Sequence, residues 1–141
     1  MADETPIQRK GGCRCGAVRY RLEGEARFQS ICQCRHCQQI TGSGHAPIMV
    51  FKGDGFEVEG EPQTQSYTAR SGNMVTHHFC GACGAPLFNR NSQFEKAVYV
   101  IAGSLDDPSV FAPQRVIFTS EAQAWDSVPD DLPGFEEMPT R

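Results

Sequence analysis

Cys32-Gln33-Cys34-Arg35-His36-Cys37 puts three thiols within six residues. A buried Cys fills space no better than Val or Ala, so a trio this dense is not a packing device. Thiolates are the preferred soft ligands of Zn²⁺. Three ligands leave a tetrahedral metal one position short, and an open position separates a working metal site from a structural one. The other four of the seven cysteines come as two pairs, Cys13-x-Cys15 and Cys80-x-x-Cys83. The count is read as four plus three, hence two Zn²⁺. One is closed and structural, on Cys13, Cys15, Cys80 and Cys83. The other is open, on Cys32, Cys34 and Cys37. A rival partition pairs Cys34-x-x-Cys37 with Cys80-x-x-Cys83 as a zinc ribbon, leaving Cys13, Cys15 and Cys32 over. Locality speaks against it, because it breaks up the trio.

Outward from the trio, the chain reads as strands. Cys13 and Cys15 are two apart, so an extended backbone points both to one face. Val18, Tyr20 and Leu22 alternate with Arg19 and Arg21, the pattern of a half-buried strand over 17–22. A short strand over 28–32 leads into the trio, and 35–40 forms a brief helix broken by Thr41-Gly42-Ser43-Gly44. The apolar run 45–51 reads as a buried strand with its Pro47 end at an edge. Residues 65–69 and 74–79 form a hairpin across Ser71-Gly72-Asn73, and its second arm delivers His77 and His78 into Cys80. Leu87-Phe88, 98–102 and 115–119 supply further strands, with 98–102 central. Residues 1–10 are expected to be a disordered lead-in, 11–127 the zinc-binding domain, and 128–141 an irregular tail packed on it.

The 141-residue chain fits one domain with a modest core. It has no apolar run near the roughly 18 residues that span a bilayer. The polar N-terminus shows no signal region, so a cytoplasmic protein without a membrane partner is expected. Seven cysteines in such a chain read as metal chemistry, not a disulfide framework. The formal charge is −4, and seven thiolates around two Zn²⁺ would take it to −7. So acidic a chain is a poor binder of phosphate backbones, and no nucleic-acid partner is expected.

Three thiolates donate heavily, so the trio zinc keeps little positive charge and acidifies water less than a three-histidine zinc. It favours a soft fourth ligand such as a substrate thiolate, and the chemistry it suits is thiol delivery. His36 inside the trio loop and His45 after the glycine turn are the proton-transfer candidates. His77 and His78 point to opposite faces of one strand, so at most one faces a metal. Trp125 is the only tryptophan and is expected to pin the tail.

The chain resembles the glutathione-dependent formaldehyde-activating enzyme and centromere protein V family. The resemblance rests on Gly12-Cys13-Arg14-Cys15-Gly16, on Cys32-Gln33-Cys34-Arg35-His36-Cys37 and on Phe79-Cys80-Gly81-Ala82-Cys83-Gly84. Leu87-Phe88 and Trp125 with Asp131-Leu132-Pro133 are also similar. The resemblance implies a mainly β fold, a β-tent of twisted antiparallel sheets with zinc knuckles and few short helices. It implies a structural zinc on Cys13, Cys15, Cys80 and Cys83, and a second zinc on Cys32, Cys34 and Cys37 where a thiol binds. The implied activity is that of a carbon–sulfur lyase, joining glutathione to formaldehyde as S-hydroxymethylglutathione, with a small-molecule thiol and aldehyde as partners. Arg27, Arg35 and Arg70 are basic residues available to a peptide-like acid. The other reading is a non-catalytic zinc module that binds a thiol such as glutathione, or a protein partner.

Overall fold

A computed structural model describes residues 7–139. Among the described residues, eleven strands form two sheets, with one short α-helix between β3 and β4. The smaller sheet has the order β1-β2-β5, from β1 (Gln8–Gly12), β2 (Arg19–Glu23) and β5 (Glu57–Glu59). The larger has eight strands in the order β11-β10-β3-β4-β9-β8-β7-β6. Its members are β3 (Phe28–Cys32), β4 (Ala46–Phe51), β6 (Gln63–Thr68), β7 (Met74–Phe79), β8 (Pro86–Asn91), β9 (Val98–Ile101), β10 (Arg115–Ile117) and β11 (Gly134–Phe135).

The two apolar runs became the middle of the large sheet, and strand alternation explains their composition. Met49 and Phe51 of β4 join Val98 and Val100 of β9 in the main core, against Val18, Tyr20 and Leu22 of the smaller sheet side. Ala46, Ile48 and Ile101 point to the opposite face and pack around Cys32 and Cys37. Strands buried on both faces need apolar residues at nearly every position. The same two strands thus divide the molecule: one face carries the main core, the other carries the trio. Aromatic packing closes the main core, with Phe56 edge-on to Phe88 at 5.0 Å and Tyr20 edge-on to Phe88 at 6.1 Å. The buried Tyr20 hydroxyl is satisfied by Ser104 Oγ at 2.5 Å.

Several expectations need correcting. The sheets are not wholly antiparallel: β10 runs parallel to both β3 and β11. Strand β1 starts at Gln8, inside the expected lead-in, because 8–12 find a partner in β2; residues 1–6 lie outside the described residues. Strand β4 is interior as expected, with its Pro47 end beyond the β9 ladder, whose last pair is Ile48 with Ile101. The stretch 128–139 is not wholly irregular, since β11 adds to β10 and Phe118 and Ser120 N–H groups bond the carbonyls of Glu137 and Glu136. Trp125 does not pin this segment: it is 69% exposed.

The large sheet curls until its β6–β7 hairpin meets its other end. Arg70, in the hairpin turn, bonds Glu121 at 3.5 Å and Glu137 at 3.2 Å. Tyr67 of β6 stacks on His36 at 4.0 Å. This curl brings a distant strand over the trio.

Candidate metal centres

Cys13, Cys15, Cys80 and Cys83 converge, with all four sulfurs within 4.8 Å of one another and no disulfide among them. Cys13 and Cys15 sulfurs are 3.6 Å apart, and those of Cys15 and Cys80 are 3.7 Å apart. Zinc–sulfur bonds of about 2.3 Å in a tetrahedron place sulfurs about 3.8 Å apart, so the donor set fits Zn²⁺ in number, chemistry and spacing. The pairs arrive from the turn after β1 and the turn after β7. In the latter, the Cys83 N–H donates to Cys80 Sγ at 3.4 Å, and Gly84 closes the turn on the Cys80 carbonyl at 2.8 Å with φ 78. That left-handed φ is why a glycine follows the pair.

Main-chain N–H groups tip two of these thiols, Cys13 and Cys83, towards ionisation. The Ala85 and Cys15 amides draw Cys83 down to about 6. Burial opposes ionisation of Cys13, but bonds from the Val18 N–H at 3.2 Å and from neighbouring thiols leave it net lowered. The Ala17 amide favours the Cys15 thiolate, yet the shared bonds with Cys13 and Cys80 outweigh it and push Cys15 up to about 11. Cys13 and Cys80 are also part of the main core.

The trio is built locally. Cys32 ends β3, Cys34 caps α1 (Arg35–Thr41), and Cys37 lies in the helix. The cap is the knuckle again: the Cys37 N–H donates to Cys34 Sγ at 3.4 Å. The three sulfurs lie within 4.8 Å of one another, and among the described residues no His, Asp or Glu ligand atom joins them. Cys32 and Cys37 are buried, whereas Cys34 is partly exposed. Hydrogen bonds from the Cys32 and Cys37 thiols pull Cys34 down to about 3. The same sharing with Cys34 raises Cys32 to about 12, and bonds with both neighbours raise Cys37 well above the ordinary thiol value. One negative charge is thus already favoured on the three sulfurs. This donor set also fits a soft divalent ion, with a position left over.

The ribbon partition fails in space, because Cys80 and Cys83 meet Cys13 and Cys15 and not Cys34 and Cys37. A cleft of about 600 Å³ borders Cys13, Arg14, Arg19, Ser104 and Asp106. It lies beside the four-cysteine cluster, and no trio cysteine lines it.

Around the trio the structure gathers His45 with residues that the sequence did not announce. His45 precedes Ala46, which pairs with Cys32. Its Nδ1 lies 2.9 and 3.0 Å from the two oxygens of Asp126. Gln33, between Cys32 and Cys34, donates from Nε2 to Asp126 at 2.9 Å. The loop is held from below by the Gln33 N–H on the Ile117 carbonyl at 3.0 Å, and by Gln38 Nε2 donating to the carbonyls of Gln33 and Glu121 at 2.8 and 2.9 Å. Tyr67 sits close enough that burial and then the charge of Cys37, Cys34 and Cys32 raise its pKa. Gln33, Gln38, Tyr67 and Asp126 were not singled out by sequence reading, since none stands at a ligand position of a cysteine motif.

His36 is exposed, with its ring against Tyr67. His77 and His78 join neither cluster: His77 bonds Asn89 at 2.7 Å, and His78 stacks on Phe88 at 4.5 Å. Arg35 donates to Gln38 at 2.5 Å and Arg70 is held by two carboxylates.

A family model described as glutathione-dependent formaldehyde-activating enzyme matches residues 8–121. The chain belongs to this family. A curated protein of Halomonas elongata, named provisionally as a glutathione-dependent formaldehyde-activating enzyme, is 28% identical over 112 residues, covering 76% of this chain and 71% of that protein. The crystal structure of a Rhodobacter sphaeroides protein matches with a TM-score of 0.52 at 21% identity, over 69% of this chain and 87% of that one. This last likeness supports the fold alone.

Proposed function

We propose that this protein makes and breaks the carbon–sulfur bond of a thiol–aldehyde adduct, with S-hydroxymethylglutathione the adduct the family points to. The observation that carries the reading is the trio: three convergent thiols, one partly exposed, with no fourth ligand atom from the described His, Asp or Glu residues. Cys32, Cys34 and Cys37 would hold the second zinc, and Cys13, Cys15, Cys80 and Cys83 the structural one. Zinc bound at the trio supplies a soft Lewis acid that keeps an entering thiol as thiolate at neutral pH. The residues around it do the rest. Ala46, Ile48, Ile101 and Ile117 wall the trio with apolar surface and keep water from two of its thiols. Bond formation leaves an oxyanion that needs a proton, and cleavage must remove that proton again. His36, between Cys34 and Cys37, and His45, next to the Cys32 partner Ala46, are the histidines proposed to carry it.

The test is incubation of the purified protein with glutathione and ¹³C-formaldehyde, following adduct formation and exchange by NMR. Exchange above the uncatalysed rate, lost in Cys34→Ser, is expected. Zinc-edge absorption should show the trio metal exchanging a light ligand for sulfur when glutathione is added. Tight thiol binding without faster exchange would replace the enzyme reading with that of a thiol-binding zinc module.

A further inference from the structure

We propose that Asp126 is the positioning residue of a proton relay that ends on His45. The proposal rests on the thiol–aldehyde reading above. An ionised carboxylate only accepts hydrogen bonds. The ring nitrogen facing it, Nδ1 at 2.9 and 3.0 Å, therefore carries the hydrogen. In the neutral ring Nε2 is then a lone-pair acceptor. The exposures fit this division of labour: the Asp126 side chain is 7% exposed and that of His45 is 28% exposed. The acid is sealed, and the base reaches the surface.

Two further features set the pair beside the trio loop, and a third fixes the place of the carboxylate. Gln33 Nε2 holds the Asp126 carboxylate from the other side at 2.9 Å, and Gln33 is itself buried between two trio cysteines. Ala46, the next residue after His45, is the register partner of Cys32. Gly44 is buried against the carboxylate, and a Cβ there would lie 2.5 Å from Asp126 Oδ1. A side chain at position 44 would displace the acid. Asp126 lies beyond residues 8–121, the span matched by the family model.

In the cleavage direction the adduct hydroxyl gives its proton to His45 Nε2. The O–H electron pair forms the carbonyl, and the C–S pair departs with sulfur, leaving aldehyde, thiolate and imidazolium. Condensation is the reverse: the thiolate attacks the carbonyl carbon, and Nε2–H protonates the oxygen. Asp126 takes no proton. It orients the ring and stabilises the imidazolium.

Asp126→Asn tests this, because an asparagine amide can donate to Nδ1 and force the hydrogen onto Nε2. Zinc content, circular dichroism and glutathione Kd should stay at wild-type values. The kcat for adduct exchange should fall by about 10²–10⁴ with KM little changed. ¹⁵N-edited NMR should show the His45 hydrogen moving from Nδ1 to Nε2. Gly44→Ala keeps the carboxylate but pushes it away, and should lose kcat in the same way. Added imidazole should restore part of the activity lost in His45→Ala. Wild-type kcat in Asp126→Asn, or a loss confined to KM or zinc content, overturns the proposal. If the wild-type protein forms no adduct at all, the functional reading fails separately. A wild-type ring protonated only on Nε2, or a tautomer unmoved by Asp126→Asn, then still overturns the positioning role.

Discussion

The two cysteine clusters use the same knuckle and differ in everything around it. In each, a Cys-x-x-Cys turn directs the second cysteine's N–H onto the first sulfur at 3.4 Å. The four-cysteine cluster joins segments 65 residues apart in the chain, and two of its members belong to the main core. The trio spans one strand end and one helical turn, and packs on the other face of β4 and β9 with a few small and branched residues. A metal that closes a long loop contributes folding energy, because the unfolded chain cannot hold its ligands together. A metal held by three nearby thiols closes almost no loop. Placement thus distinguishes the two clusters: a metal on the first would be tied to the fold, and one on the trio would not.

The largest expected effect is therefore at the first cluster. Cys83→Ser removes one of four ligands of a metal whose binding would supply roughly 10–16 kcal/mol, the same size as the roughly 5–15 kcal/mol by which domains are stable. Unfolded or insoluble protein is expected, read by soluble yield and circular dichroism. A soluble, folded variant with unchanged zinc would erase the contrast. Next comes the packing that the first cluster shares. Leu22 is fully buried, and Leu22→Ala should cost about 2–5 kcal/mol in denaturant unfolding while leaving both metals bound. Cys34→Ser should cost less stability than that. It should keep the fold and one zinc, and lose the second zinc together with thiol affinity. Metal counting by mass spectrometry and a glutathione titration check this, and loss of both metals would mean that the clusters are coupled.

The smallest effect concerns pH. Burial lowers the pKa of both His77 and His78 from the ordinary 6.5. As pH falls below 6.5 the unfolded chain takes up these protons first, so folding stability drains between 6.5 and the lowered folded values. Above 6.5 this contribution is complete. His78→Phe, which keeps the stack on Phe88, should flatten the slope of Tm between pH 6.5 and 5. An unchanged slope would show that His78 does not carry this sensitivity.

Much of the trio and its partner cluster was legible in the chain. Ligand chemistry is a property of residue type and local spacing, so Cys32, Cys34 and Cys37 stood out, but the pairing of 13/15 with 80/83 had a rival in the 34/37–80/83 ribbon until the fold brought the four together. Strand β3 and helix α1 were legible for the same reason: alternation and a glycine stop act over a few residues. The rest depended on contacts across the chain. The parallel pairing of β10 with β3 leaves no local signature, because side-chain alternation is the same in either direction. Trp125 looked like an anchor because tryptophan is usually buried, yet only the surrounding packing could decide that it stays exposed. Asp126 is one acid among many in an acidic segment. It became the partner of His45 because β4 and β3 set Gly44 and Gln33 beside it, and that proximity exists only once the two distant segments have folded together.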